Sequence, residues 1–331
     1  MKNYVLQRLV YLVFLVWMVS IVTFIVIQLP PGDYLSTYIS RLEQAGEDLT
    51  EQQVENLRRQ YGLDLPLYLR YFKWIGQVLQ GNFGFSFDYQ QPVRDIIGER
   101  LVLTFTIAIL SAIFTYAVAI PIGIYSATHQ YSVGDYVVSI VGFIGLAIPN
   151  FMLALILLYI AWTNYELNLT GLFSPEYVSA PWSWAKIGDM LLHLPIPVVV
   201  IGTGGTAGLI RVLRGTLLDE LNKQYVITAR SKGVGEVRLL FKYPVRVALN
   251  PIVSSLAWLF PSLVSGGTIT AWVLGLPTAG PMLLRGMITQ DTFLTATLLM
   301  FITILTVIGT TVSDILLVVV DPRIRMERAA N

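Results

Sequence analysis

The 331-residue chain has no cysteine and only two histidines, His129 and His193. The first absence excludes disulfides, thiolate nucleophiles and cysteine-based metal sites. The wide separation of the two imidazoles argues against a histidine metal centre. Charge is scarce as well: 13% of residues are Asp, Glu, Lys or Arg, where soluble domains carry about 25%. A net charge of +1 leaves no concentrated basic face of the kind nucleic acid requires, so no nucleic-acid partner is expected. Catalytic signatures are missing too. No G-x-x-x-x-G-K-[ST] phosphate loop, G-x-S-x-G elbow or H-E-x-x-H zinc motif occurs. The chain itself is therefore expected to be no enzyme, with no catalytic residue and no bound metal or cofactor.

What fills the chain is apolar: 55% of residues are hydrophobic, in long uncharged runs. A helix crossing the hydrocarbon core needs about 20 such residues at a rise of about 1.5 Å each. Six runs reach that length, near 9–29, 101–125, 136–160, 191–210, 251–274 and 293–320. They predict an all-α membrane protein with six transmembrane helices. The first run follows Lys2 and Arg8, exceeds a signal-peptide core and has no small-x-small cleavage site, so 1–30 reads as an uncleaved anchor helix. Residues 31–100 read as an external helical insertion after that helix. Within it, Thr50 suits the N-cap of a helix through TEQQVENLRRQYGL, and LYLRYFKWIGQVL is amphipathic and aromatic-rich. The insertion reads equally as a cap on the spans or as a platform for an external binding protein. Residues 101–331 then form the core, interrupted by a loop at 211–250.

Lysine and arginine in short loops set orientation. They gather before the first run, in the eight basic residues of 211–246, and in the tail at Arg323, Arg325 and Arg328. Both termini and the 211–250 loop are thus expected on the cytoplasmic side of the membrane. Other features give quieter readings. VVVIGTGGTAG satisfies G-x-G-x-x-A at Gly202, Gly204 and Ala207, but Gly204 and Gly208 read more simply as a small-xxx-small contact between spans. Trp162, Tyr165, Tyr177, Trp182 and Trp184 suit interfacial anchoring, with stacking on sugars or peptide side chains as a second reading. Asp314 is the acid most clearly inside a run, and pairing at the interface is favoured over a proton relay.

The stretch YVITARSKGVGEVRLLFKYPVRVALNP, 225–251, is the feature that bulk hydrophobicity does not account for. Burying the eight basic side chains of 211–246 in hydrocarbon would cost roughly 20 kcal/mol, so this region is expected outside the bilayer. Val237, Leu240, Phe241, Pro244, Val245 and Ala248 recur at helical spacing, and Arg238, Lys242 and Arg246 form an i, i+4, i+8 stripe. Gly233 and Gly235 are expected to take positive φ and turn the chain between two short helices. The region reads either as a basic linker lying on membrane lipid or as a knob for a cytoplasmic partner.

Here the sequence resembles a known family. Tyr225, Val226, Thr228, Ala229, Arg230, Lys232, Gly233, Asn250 and Pro251 match the cytoplasmic loop of bacterial ABC importer permeases, and specifically the first permease of the dipeptide/oligopeptide/nickel transport family. LPPGDY at 29–34, the segment 61–86, PVRDIIGERLVLT at 92–104, IPNF at 148–151 and the terminal DPRIR extend the similarity along nearly the whole chain. Departures are Ile227 where the general loop pattern has Glu, Asn82 for Asp, and Ala271 and Thr278 where Glu and Gly are usual after the fifth run.

The resemblance implies the type I ABC importer permease fold and alternating access driven by partner subunits. Those are a homologous second permease, two cytoplasmic ATP-binding subunits carrying ATP and Mg, and an external solute-binding protein. It implies an ATPase-coupling loop at Tyr225, Thr228, Ala229, Arg230, Lys232, Gly233, Gly235 and Glu236. A translocation path is expected at Asn150, Ser262, Ser265 and Thr268. Peptides are the expected cargo, oligosaccharides the alternative, and a stand-alone secondary transporter the alternative class.

Overall fold

The computed structural model describes residues 2–28, 50–61, 65–86, 88–258 and 267–320. Helix α1 (Lys2–Gln28) is followed by α2 (Glu51–Tyr61) and α3 (Leu67–Leu79). A small hairpin of β1 (Phe85–Ser86) and β2 (Gln91–Pro92) leads into α4 (Val93–Thr128). Next come α5 (Val133–Ala147), α6 (Asn150–Tyr165), α7 (Pro175–Val178), α8 (Trp184–His193) and α9 (Pro195–Leu221). Short helices follow: α10 (Gln224–Ser231), α11 (Glu236–Lys242), α12 (Pro244–Ala248), α13 (Asn250–Ser254) and, after a 3-10 turn, α14 (Thr268–Val273). The chain closes with α15 (Ala279–Ile288) and α16 (Thr292–Val320).

Among the described residues, three helices are long and apolar enough to cross a membrane: Val93–Thr128, Pro195–Leu221 and Thr292–Ser313. A fourth crossing arises if α5 and α6 form one span, but they meet at an angle of 100°. The third run, 136–160, is thus broken at the IPNF motif, 148–151, where the family resemblance implies a proline-aromatic break. Pro149 disfavours helical geometry at Ile148, which sits at φ −84°, ψ 120°, and its ring caps the start of α6. Within α1 the part whose side chains are described, Val10–Ile25, is apolar. The fifth expected span is a succession of short helices around 259–266, which lie outside the described residues.

Two compact units divide the chain. The first comprises residues up to 104 together with 278–305. The capping residues of α2 behave as expected, with Gln53 Oε1 accepting from both the Thr50 amide and hydroxyl at 2.9 Å. Amphipathic α3 buries Tyr71 and Trp74 against Phe24 of α1 and Ala296 of α16. The Phe24 ring lies 5.5 Å from that of Tyr71, edge-on, and 5.9 Å from Trp74, stacked. Such pairs add about 0.5–1.5 kcal/mol beyond burial. The hairpin is fixed by fully buried Asp291, which accepts from Ser86 Oγ at 2.7 Å and from the Leu294 amide at 3.2 Å, so it also caps α16. Gly84 passes so close to the Phe293 ring that a Cβ would lie 2.8 Å from it.

The second unit comprises 105–277 and 306–331, and α9 is its centre. Helix α9 packs on α5, α6, α8, α12 and α13. Glycine makes two close approaches to α9 possible: a Cβ on Gly202 would sit 2.5 Å from Phe114 of α4, and one on Gly204 would sit 2.8 Å from Asn150 of α6. Gly208 faces open space, so the expected pairwise contact holds for Gly204 alone. These glycines are helical, with no strand before them, which removes the dinucleotide-fingerprint reading.

The fourth run is displaced from its expected bounds. Residues 184–193 form the separate helix α8, and Pro195 opens α9, where its missing amide costs nothing. At the other end α9 continues through Arg211 and Arg214, which were expected in a loop. Of the aromatics, Trp184 is 88% exposed and Trp162, Tyr165 and Trp182 are exposed as well, and Trp182 packs with Phe173 over the buried Lys186.

Candidate functional site

Residues 222–243 fold as a helix-turn-helix whose turn is set by one glycine. Gly233 has φ +77°, and its amide donates to Arg230 O at 3.0 Å while the Val234 amide donates to Ala229 O at 3.3 Å. This is a Schellman turn, which satisfies carbonyls left open at the end of α10. Val234 then folds back onto a cluster of Val226, Ala229, Leu239 and Tyr243. Gly235 departs from expectation: its φ is −58°, and it serves as the N-cap of α11.

A two-pronged ion pair clasps the turn from outside. Arg230 donates from Nε to Glu236 Oε1 at 2.7 Å and from Nη2 to Oε2 at 3.0 Å. The hydrogen bond to Arg230 holds the Glu236 carboxyl below its ordinary range, and the same bond raises the Arg230 guanidinium. Both side chains are exposed, so the clasp orients the turn more than it stabilises it.

The other coupling residues divide by direction. Tyr225 donates its hydroxyl to Glu220 at the end of α9, and Thr228 Oγ1 donates to Gln224 O at 2.8 Å. Lys232 and Gly233 are exposed at the turn, whereas Ala229 faces inward. The expected apolar stripe is partly inverted. Leu239 is 1% exposed, while Val237 and Phe241 are 74% and 57% exposed on the outer face. The cationic stripe spans two helices, because Pro244 ends α11 and Tyr243 turns at φ −115°, ψ −80°. Arg238 and Lys242 lie on α11, and Arg246 on α12.

Below the knob, its two legs converge. Leu213 and Leu217 of α9 pack with Val245, Ala248 and Ile252 of α12 and α13, and with Ala127 at the end of α4. Beside this cluster lies a pair that sequence reasoning missed. Asp135, 3% exposed in the first turn of α5, accepts from Arg214 Nε at 3.1 Å and Nη2 at 2.9 Å. It also accepts from Ser126 Oγ and from the Tyr131 amide at 3.0 Å. The legible signal was Ser132-x-x-Asp135 before an apolar run, an N-terminal capping pattern, and Ser132 Oγ does accept from the Asp135 amide at 3.2 Å.

The expected path residues are only partly described. Asn150 opens α6 and packs on Gly204, and Thr268 opens α14. Ser262 and Ser265 lie outside the described residues, as does the side chain of Asp314. No cluster of three His, Asp or Glu able to hold a metal occurs among the described residues.

Residues 119–326 match the family described as binding-protein-dependent transport system inner membrane component, and residues 1–108 match the corresponding N-terminal family. The chain belongs to this family, and is an all-α, multi-pass inner-membrane permease of the ABC importer type, a component of a multi-subunit transport system. Among its relatives is the Bacillus subtilis oligopeptide transport system permease protein AppB, 33% identical over 98% of this chain and 99% of the relative. The Escherichia coli O157:H7 inner membrane ABC transporter permease protein YejB is 28% identical over 99% of this chain and 100% of its own length. The Mycobacterium bovis oligopeptide transport system permease protein OppB is 27% identical over 98% and 100% respectively.

Proposed function

We propose that this chain is the peptide-conducting permease subunit of an ATP-driven, binding-protein-dependent importer, and that 222–243 is the handle its motor grips. The observation that carries the reading is the knob itself. It is a helix-turn-helix with its own small core and a clasped turn, yet it exposes Val237, Phe241, Arg238 and Lys242. A linker resting on headgroups needs no such internal scaffold, whereas a part that transmits force does. Peptide cargo is supported over oligosaccharide by relatives named for oligopeptides that match along their full length.

In this account six spans cross the membrane, with both termini and the knob on the cytoplasmic side and 31–100 as an external insertion. The basic residues at 211–246 support that orientation. A second, homologous permease completes the pathway, an external solute-binding protein delivers cargo, and two cytoplasmic subunits bind ATP and Mg. This chain hydrolyses nothing. Closure of the motor would move Tyr225, Thr228, Arg230, Lys232, Gly233, Gly235 and Glu236 as one body, with Ala229 as part of its core, and rock the spans between inward- and outward-open states. Asn150, Ser262, Ser265 and Thr268 are proposed to line the path.

Reconstitution tests this directly. Proteoliposomes with the two permeases and the ATP-binding subunits should accumulate labelled peptide only with internal ATP and external peptide-loaded binding protein. Uptake by this chain alone, driven by an ion gradient, would refute the proposal in favour of a secondary transporter.

A further inference from the structure

We propose that Asp135 and Arg214 are a positioning pair that fixes the turn between α4 and α5 to the handle, so that displacement of the handle is passed into α5. The inference rests on the importer reading above and adds a second point of transmission to it. Helix α9 leads straight into the knob, and Arg214 stands two turns before its end. The carboxylate of Asp135 accepts from Nε and Nη2 of that guanidinium, from Ser126 on α4 and from the Tyr131 amide in the turn. One carboxylate thus fastens three successive pieces of chain to α9.

The turn is itself held tightly. Tyr131 has φ +62°, Ser132 caps α5, and Gly134 lies directly against the Tyr125 ring, which stacks on His129 at 4.7 Å. Beside it, Ala127 joins the cluster formed by both legs of the knob. Apolar contact of this kind permits sliding. A bidentate carboxylate–guanidinium pair has one register, because its two parallel hydrogen bonds fix angle as well as distance. The cluster supplies adhesion and the pair supplies register.

A pair so placed is weak evidence for stability alone, since removing two charges from water offsets much of their attraction. Its use lies in specifying one geometry. A handle that moves must drag the α4–α5 turn with it, and α5 leads to the break at Pro149 and on to Asn150. The pair therefore lies on the route from motor to pathway.

The test uses the complete importer in proteoliposomes, with peptide-loaded binding protein, and compares wild type with Asp135→Asn, Arg214→Lys and the exchanged pair Asp135→Arg/Arg214→Asp. Both single variants should retain the ATP-binding subunits at wild-type stoichiometry and hydrolyse ATP within about twofold of wild type. Peptide delivered per ATP should fall at least tenfold, and the exchanged pair should recover part of it. If hydrolysis and uptake fall in proportion, or neither changes, the pair is only a staple and the proposal is overturned.

A second measurement covers variants that accumulate poorly. The chain lacks cysteine, so spin labels can be placed by Val133→Cys and Ser231→Cys alone, both exposed positions. Upon nucleotide binding to the complex, the two labels should move together in wild type and independently with Arg214→Lys. Joint movement in the variant would overturn the proposal. Failure of the importer reading looks different, because the wild-type complex itself would then show no ATP-dependent uptake.

Discussion

At Gly233 a single backbone angle decides whether the knob exists. At φ +77° an L side chain is disfavoured by about 1–2 kcal/mol, although the space around its Cα is open. Gly233→Val is therefore expected to open the turn through the backbone, whereas Gly235→Ala, at φ −58° with free space, should be silent. ATP-driven uptake measured for both variants checks this, with loss in the first and wild-type rates in the second. Equal behaviour would remove the turn from the mechanism.

The Arg230–Glu236 clasp carries a pH signature. Glu236 titrates below its ordinary value near 4.5 because Arg230 bonds the charged form. A depressed carboxylate contributes fully above its unfolded value and loses that contribution as pH falls through the folded one. A spin label introduced by Lys232→Cys should show constant mobility from pH 8 to about 5 and growing mobility below about pH 4.5. Glu236→Gln should be mobile throughout and insensitive to pH.

Among the elements, α10 and α11 are held together by very little. Their core is three buried side chains, Val226, Ala229 and Leu239. Truncation by Leu239→Ala should cost about 2 kcal/mol, the low end for buried leucines, because so small a core can partly collapse. Limited proteolysis should then cut within 224–243 while the spans stay intact. Helix α9 tests the opposite case. Gly202→Val would drive atoms into Phe114 and the Ser111 carbonyl and should destabilise by about 1–3 kcal/mol, whereas Gly208→Ala meets nothing. Thermal midpoints of the purified chain distinguish the two.

Element boundaries also show what a sequence can reveal. Long apolar runs announce α1, α4 and α16 because composition alone decides solvent preference over 20 residues. The break at Pro149 was readable as chemistry, but its 100° angle depends on how α6 seats against α9 through Asn150 and Gly204. The extension of α9 past Arg214 was not readable, since the cost of a cation near hydrocarbon is offset by Asp135, 79 residues earlier in the chain. Leu239 against Val237 and Phe241 is the same lesson at short range. Periodicity finds an apolar face, but only the partner helix decides which of its residues turns inward.

At the scale of the whole molecule, the sequence combines long apolar runs with one basic knob at 222–243 and carries no phosphate-loop motif. On the proposed reading the chain's work is conformational, and the free energy enters from another protein. The handle exposes apolar and basic side chains side by side, a surface suited to a groove with apolar floor and acidic rim. The most direct measurement is photo-crosslinking in intact membranes from a photoreactive residue replacing Val237 or Phe241. The account predicts one dominant adduct with an ATP-hydrolysing subunit, lost in Gly233→Val. Adducts with lipid alone would contradict it.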